Sequence, residues 1–343
     1  MIKLLLESNI LEKFDTQGMH KIYDQWPKIA RNSYDMEFDP IKFEGIDHII
    51  FSGMGGSGIL GNVFSSIMSQ TDIFVTVNKG YILPKIVNDR TLVISTSISG
   101  NTVETLSFLQ SAKKLGCKTI SFADGGKMKD FCLKNNMDFY YIPLIHSPRS
   151  SFIQFLYSMI KILNPILKVK EEDITSSLVD LETTSNQISY KNLTESNNSL
   201  SLARWITGTP MIYYPLGLQS AAIRFKNSIQ ENSKRHAIIE DVIEACHNCI
   251  VAWEGSSNIQ PILLQGHNDN IKTKERWKIF KEYFNENGID FYEIFSIKGS
   301  ILSKIINLIY LFDYSSIYLS VISGIDPSPI KSIDFIKSRI SKE

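Results

Sequence analysis

Apolar and polar positions change places most sharply between residues 93 and 106. Val93 and Ile94 run into Ser95-Thr96-Ser97-Ile98-Ser99-Gly100-Asn101-Thr102, and Val103-Glu104-Thr105-Leu106 then opens a helix-forming stretch. The pattern predicts a strand, a hydroxyl-rich turn and a helix start. Asn101 or Thr102 can cap that helix, Glu104 stands at capping-box spacing from Asn101, and Val103, Leu106 and Leu109 give it an inward face. Such a turn suits an anion. The first helical N–H groups have no intrahelical partner and carry the positive end of the helix dipole, while Ser97, Ser99 and Thr102 add hydroxyl donors without any lysine. Loops are rich in Ser, Gly and Asn for other reasons too, so the composition is equally that of an ordinary connection.

The same grammar recurs along the chain. Residues 46–52 read as a strand, Gly53-Met54-Gly55-Gly56-Ser57-Gly58 as a glycine turn, and Leu60, Val63, Phe64 and Ile67 as one face of a helix. An amphipathic segment at 22–30 precedes them, and strands at 73–77, 118–122 and 138–142 follow, with a helix near 127–134. After Pro148-Arg149 the pattern turns helical over 152–167 and 171–181, and a polar tract at 183–201 reads as a loop. A second series then begins: a strand at 211–214, the turn Pro215-Leu216-Gly217, a helix over 221–231, strands at 250–253, 261–264 and 291–295, and a helix over 273–287. Helical segments at 301–322 and 330–340 end the chain. Strands alternating with helices imply parallel, helix-covered sheets, so the expected fold class is α/β, with an α-β-α sandwich in each of two domains. The domains are expected at residues 1–150 and 151–343, the terminal helices packing back on the first. In the second half the corresponding turn, Gln265-Gly266-His267-Asn268-Asp269-Asn270, has an acid where the first has serines, so a phosphate site is expected in the first half only.

Length supports two domains, because 343 residues exceed the size at which single cores stop growing, and 43% hydrophobic content is ample for both. Lys+Arg and Asp+Glu balance at 36 each, which gives no electrostatic case for nucleic acid or an anionic membrane as partner. The N-terminal apolar run is too short for a signal peptide, and no later run reaches membrane-spanning length without a charge, so a cytoplasmic protein is expected. The four cysteines make no disulfide scaffold. Cys246-His247-Asn248-Cys249 has C-x-x-C spacing, yet a zinc site would want a second ligand pair, and a redox motif would open a helix rather than precede the strand-like residues 250–253. No metal or cofactor is expected.

Gly53-x-Gly55-x-x-Gly58 after a strand also satisfies the dinucleotide fingerprint. The acid that should end the next strand and bind a ribose is missing, since that strand ends in Asn78. Glu231 falls outside the face formed by Ala222, Phe225 and Ile229, which makes it a solvent-facing carboxylate by spacing. Nor does periodicity single out His247, Arg149 or Lys337.

Taken together and in order, residues 53–58, Ser97-Ile98-Ser99-Gly100-Asn101-Thr102, Pro148-Arg149-Ser150, the run from Arg224 to Lys234 that includes Glu231-Asn232-Ser233, and Gly324-Ile325-Asp326-Pro327 through Lys337 resemble the bifunctional phosphoglucose/phosphomannose isomerases of the sugar-isomerase (SIS) domain superfamily. The resemblance implies two SIS domains and an aldose–ketose isomerase that interconverts glucose 6-phosphate, and mannose 6-phosphate as its epimer, with fructose 6-phosphate through a cis-enediol. It implies a homodimer whose neighbouring subunit completes each active site. By resemblance Glu231 is the base, His247 opens the sugar ring from across the dimer, Arg149 faces the enediolate oxygens and Lys337 assists ring opening. Gly56, Ser57, Ser97, Ser99 and Thr102 would hold the phosphate and nearby oxygens. The sequence departs from the family around His247, where Glu244-Ala245-Cys246 replaces a more apolar or proline-containing approach, and near the last helix, where Ser328 or Ile330 stands in the neighbourhood of a threonine that leaves room for the mannose epimer. Three other functions share these features: a non-catalytic SIS module that senses a sugar phosphate, an NAD-dependent dehydrogenase, and another SIS-type sugar phosphate converter.

Overall fold

The computed structural model describes residues 6–39, 41 and 43–340. The described residues form two compact units: Gln25–Glu171 joined by the chain from Ser332, and the chain up to Asp24 joined by Glu172–Lys331. The division is interleaved, where the sequence pattern suggested one boundary after residue 150.

The unit built on Gln25–Glu171 holds a five-stranded parallel sheet of strands β1 (His48–Ser52), β2 (Phe74–Asn78), β3 (Thr91–Thr96), β4 (Lys118–Ala123) and β5 (Asp138–Tyr141), in the order β2-β1-β3-β4-β5. β1 and β3 are buried throughout, as expected of central strands covered on both faces. Helices Gly55–Ile67, Val103–Lys114 and Gly126–Lys134 follow β1, β3 and β4, so the N-termini of these three lie at the carboxyl end of the sheet. Ligands bind at that edge in open α/β sheets.

The other unit holds a four-stranded parallel sheet of β6 (Thr209–Tyr214), β7 (Ile238–Asp241), β8 (Ile259–Gln265) and β9 (Tyr292–Phe295), in the order β7-β6-β8-β9. Its core element is the helix Ile301–Ile322, which is long and apolar enough to cross a membrane but is buried inside the protein over 89% of its most apolar stretch. Asp313, Ser315, Ser316 and Ser320 are buried on this helix as well, and their hydrogen bonds organise what packs against it.

Four expectations are corrected. Residues 250–253 form no strand; they lie in a 3₁₀ turn, Cys249–Glu254, where Val251 is exposed and Trp253 Nε1 donates to Tyr213 Oη at 2.7 Å. The missed strand is β7, an edge strand whose acidic end, Glu240 and Asp241, hid its apolar start. The polar tract 183–201 is partly helical, since Glu171–Ile188 runs beyond 181 and Asn198–Trp205 follows, with Asn197 capping it at Leu200 N, 2.9 Å. Its buried stripe includes Ser177 and Thr184, polar residues that break the apolar count, and Thr184 is hydrogen-bonded to Asn307. Finally, the segment 22–30 is two helices, Met19–Asp24 and Trp26–Asp35, broken at Gln25.

Candidate active site

The turns that follow β1 and β3 are neighbours, because those strands pair in register from His48↔Thr91 to Ser52↔Ser95. A side-chain hydrogen bond joins them: the backbone N–H of Ile98 donates to Ser57 Oγ at 3.2 Å. Ser97 is buried, its N–H donates to the Phe122 carbonyl at 3.0 Å, and its Oγ shares a hydrogen bond of 2.9 Å with Thr102 Oγ1. Gly56 and Ser57 lie in the first turn of Gly55–Ile67, where the Ser57 N–H donates to the carbonyl of the N-cap residue Met54 at 3.1 Å. Ser57, Ser97 and Thr102 therefore gather hydroxyls around two adjoining helix starts. Ser99 is exposed on the outside of its turn, where its Oγ accepts from Asn101 N at 3.4 Å.

The capping expected of this segment is not what forms. Thr102 occupies the N-cap position without a side-chain cap bond, because its hydroxyl is engaged by Ser97. Asn101 uses its amide elsewhere, donating to the Ser99 carbonyl at 2.9 Å and accepting from Lys127 N at 3.1 Å, so it ties the β3 turn to the β4 turn. Val103, expected to face inward, is exposed, and the buried face is Thr105, Phe108, Leu109 and Ala112. Gly100 sits at φ 67°, and a Cβ there would run into the Gly125 carbonyl, so only glycine lets these turns approach so closely. The glycine turn after β1 has a similar cause: a Cβ on Gly58 would lie 2.8 Å from the Gly53 carbonyl oxygen. Close packing thus accounts for glycine spacing that otherwise reads as a dinucleotide fingerprint, and Asn78, at the place of the missing acid, donates to the Ile82 carbonyl at 3.1 Å.

Arg149 is buried in the same unit, in the turn before the helix Phe152–Leu167. Hydroxyls fix that turn: Ser150 Oγ and Ser151 Oγ donate to the Ile145 carbonyl at 2.8 and 2.9 Å, and Trp26 Nε1 donates to the Ser150 carbonyl at 2.9 Å. Lys337 is exposed on the helix Lys331–Ile340.

Glu231 and His247 belong to the unit built on Glu172–Lys331. The helix expected over 221–231 stops at Ser228 and widens into a π turn, Ile229–Ser233, that carries Glu231 half-buried. Single π turns of this kind are frequent at functional sites. This one is fastened to the helix Ile301–Ile322 on both sides of Glu231. Upstream, Ser228 Oγ donates to Asp313 Oδ1 at 2.5 Å, and Arg224 donates to the same carboxylate through Nε at 3.0 Å and Nη2 at 2.6 Å. Downstream, Asn232 Nδ2 donates to Ser316 Oγ and Ser233 Oγ donates to the Ser316 carbonyl, both at 2.8 Å. Burial alone would lower the pKa of Arg224, and the adjacent Asp313 carboxylate overcomes that and raises it. The sequence signal for this framework was a set of polar residues inside an apolar helix.

His247 is exposed on the turn after Val242–Ala245, a short helix that Asp241 caps by accepting from Ile243 N at 2.8 Å. Its N–H donates to the Glu244 carbonyl at 2.9 Å. The flanking thiols of Cys246 and Cys249 are both pushed up by burial, which disfavours the thiolate that metal binding or disulfide exchange requires. Cys249 Sγ instead lies 3.3 Å from Tyr213 Oη.

Residues 195–340 match the family of the bacterial phospho-glucose isomerase C-terminal SIS domain. A bifunctional phosphoglucose/phosphomannose isomerase of Caldicellulosiruptor bescii is 36% identical over 316 residues, covering 88% of this chain and 92% of the relative. The chain belongs to the bifunctional phosphoglucose/phosphomannose isomerase family. A more distant relative of this isomerase family member is a D-glucosamine-6-phosphate 4-epimerase of Sulfolobus acidocaldarius, 27% identical and covering 74% of this chain and 78% of its own. Among solved structures, the C-terminal domain of a glucosamine-fructose-6-phosphate aminotransferase from Francisella tularensis superposes with a TM-score of 0.69 at 16% identity, covering 90% of this chain and 97% of that one. That likeness shows the fold, a pair of SIS-type parallel sheets.

Proposed function

We propose that this isomerase interconverts glucose 6-phosphate and fructose 6-phosphate, with mannose 6-phosphate as the epimeric substrate, through a cis-enediol. The observation that carries the reading is the hydroxyl-lined turn of Ser57, Ser97 and Thr102 at two helix starts, an anion cradle that needs no metal or lysine. Gly56 supplies a backbone donor beside it, and Ser99 borders it from the exposed side.

Moving hydrogen between C2 and C1 on one face requires a single base, an acid/base to open the ring, and positive charge near the enediolate oxygens. In this reading Glu231 is the base, His247 opens the ring with Lys337 assisting, and Arg149 steadies the enediolate. The protein works in the cytoplasm as a homodimer, with His247 supplied by the partner subunit. The sensing-module reading leaves the π turn under Glu231 without a purpose.

A coupled assay of fructose 6-phosphate formation from each aldose phosphate, together with deuterium uptake from deuterated water at the transferred position, tests the chemistry; no turnover of either aldose sinks it. Mixing Glu231→Gln with His247→Ala chains under subunit exchange should restore part of the activity. Complete failure to complement would remove the shared site.

A further inference from the structure

The turn that carries Glu231 ends at a residue with unusual backbone geometry. Lys234 has φ 56° and ψ 32°, the left-handed conformation that a Cβ disfavours and glycine adopts freely. A lysine in that place is there for its side chain. Its Nζ donates to the Glu231 carbonyl at 2.6 Å and to the Pro327 carbonyl at 3.1 Å. Both are charge-assisted hydrogen bonds. The second acceptor is itself well held. In the loop around Pro327, Asp326 accepts from Ser328 N at 2.9 Å and from Thr16 Oγ1 at 2.6 Å, and Ser320 Oγ donates to the Ile325 carbonyl at 2.6 Å.

We infer that Lys234 is a positioning residue for Glu231. Its ammonium holds the Glu231 peptide against the Pro327 loop and so sets the direction in which the carboxylate leaves the backbone. The side-chain bonds from Ser228, Asn232 and Ser233 anchor the residues on either side, and Lys234 holds the backbone carbonyl of the residue that bears the base. The inference rests on Glu231 being that base, and it requires no contact between Lys234 and substrate.

Lys234→Gly separates this role from a structural one, because it removes the ammonium while suiting the left-handed backbone. Its Tm should equal or exceed that of the wild type. Its kcat should fall roughly 10- to 100-fold, the scale on which about an ångström of misplacement acts. KM should stay within about twofold, as expected when only the transition state loses an interaction. Lys234→Arg, which keeps a donor, should recover most of kcat. In a Glu231→Gln background Lys234→Gly should cost nothing further, since both act through one group. Wild-type kcat in Lys234→Gly, a loss confined to Tm, a KM rise that accounts for the loss, or a loss that adds in full to that of Glu231→Gln each overturns the role. Glu231→Gln measured alone distinguishes the two failures: if that variant keeps its turnover, the base assignment has fallen and takes the inference with it.

Discussion

The turn after β3 and the turn after β8 hold the same place in their sheets, as the orders β2-β1-β3-β4-β5 and β7-β6-β8-β9 show. Each leads from a central strand into a long helix. In the first, Ser97 and Thr102 pair their hydroxyls, and Thr102 makes no side-chain cap to the helix that follows. In the second, the chain brings its own anion: Asp269 accepts from Gly266 N and from Trp277 Nε1, both at 2.9 Å, and Asn270 caps Lys272 N at 2.8 Å. Under the proposed function, a strand-to-helix turn serves as an anion site or as a strut according to whether a carboxylate is already built into it. Burial raises the pKa of the Asp269 carboxyl from its ordinary value, and the bonds from Trp277 and Gly266 oppose that.

The widest separation between holding a phosphate and reacting on it comes from Glu231→Gln. Glutamine keeps the size but cannot take the C2 proton, so kcat should drop about 10²–10⁴-fold while substrate binding stays nearly intact. Turnover within about tenfold of the wild type would make Glu231 the solvent-facing carboxylate its helical spacing suggested. Opening the contrast from the other side, Ser97→Ala and Thr102→Ala should act on KM, each lost hydrogen bond to a charged phosphate costing roughly 1.5–3 kcal/mol. Normal KM in the double variant would displace the cradle. Gly100→Ala forces a Cβ into left-handed backbone and against Gly125, a penalty of about 1–2 kcal/mol for the conformation alone, which a urea midpoint would report.

The smallest effect belongs to the second turn. Because the folded state raises the pKa of Asp269, its stabilising contribution is complete below the unfolded pKa and fades as pH rises through the folded one. Asp269→Asn should therefore be at least as stable as the wild type at neutral pH, with the gap closing as pH falls through the carboxylate range. A variant that grows less stable relative to the wild type as pH rises would reverse the sign and show the ionised carboxylate to be a net gain.

Much of the fold was legible because its central strands carry apolar runs, as Leu92-Val93-Ile94 does in Thr91–Thr96, and its core helices are strongly apolar, as in Phe152–Leu167. The errors fell where polarity and burial part company. Thr184 is buried on the last turns of a helix whose extension beyond residue 181 its polarity disguised, and β7 ends in acids at the edge of its sheet. The cradle was legible as composition, yet the partners were not, since Asn101 reaches Lys127 rather than its own helix. Glu231 was invisible to periodicity for a definite reason: the helix ends before it, and the π turn rotates it off the face that spacing assigned.

The helix Ile301–Ile322 also bears on the order in which the protein can be made. Its tyrosines close very long connections in its unit: Tyr310 Oη donates to the Tyr23 carbonyl at 2.8 Å and Tyr314 Oη to the His20 carbonyl at 3.1 Å, across 287 and 294 residues of chain. Contacts so distant in sequence form late, because the intervening chain must be ordered first. On the ribosome, the first helices must wait until nearly the entire polypeptide has emerged, whereas β1 to β5 are complete in sequence before residue 142. A nascent chain arrested just before Ile301 should therefore protect β1 and β3 from hydrogen exchange while leaving Tyr23 and its helix open to protease.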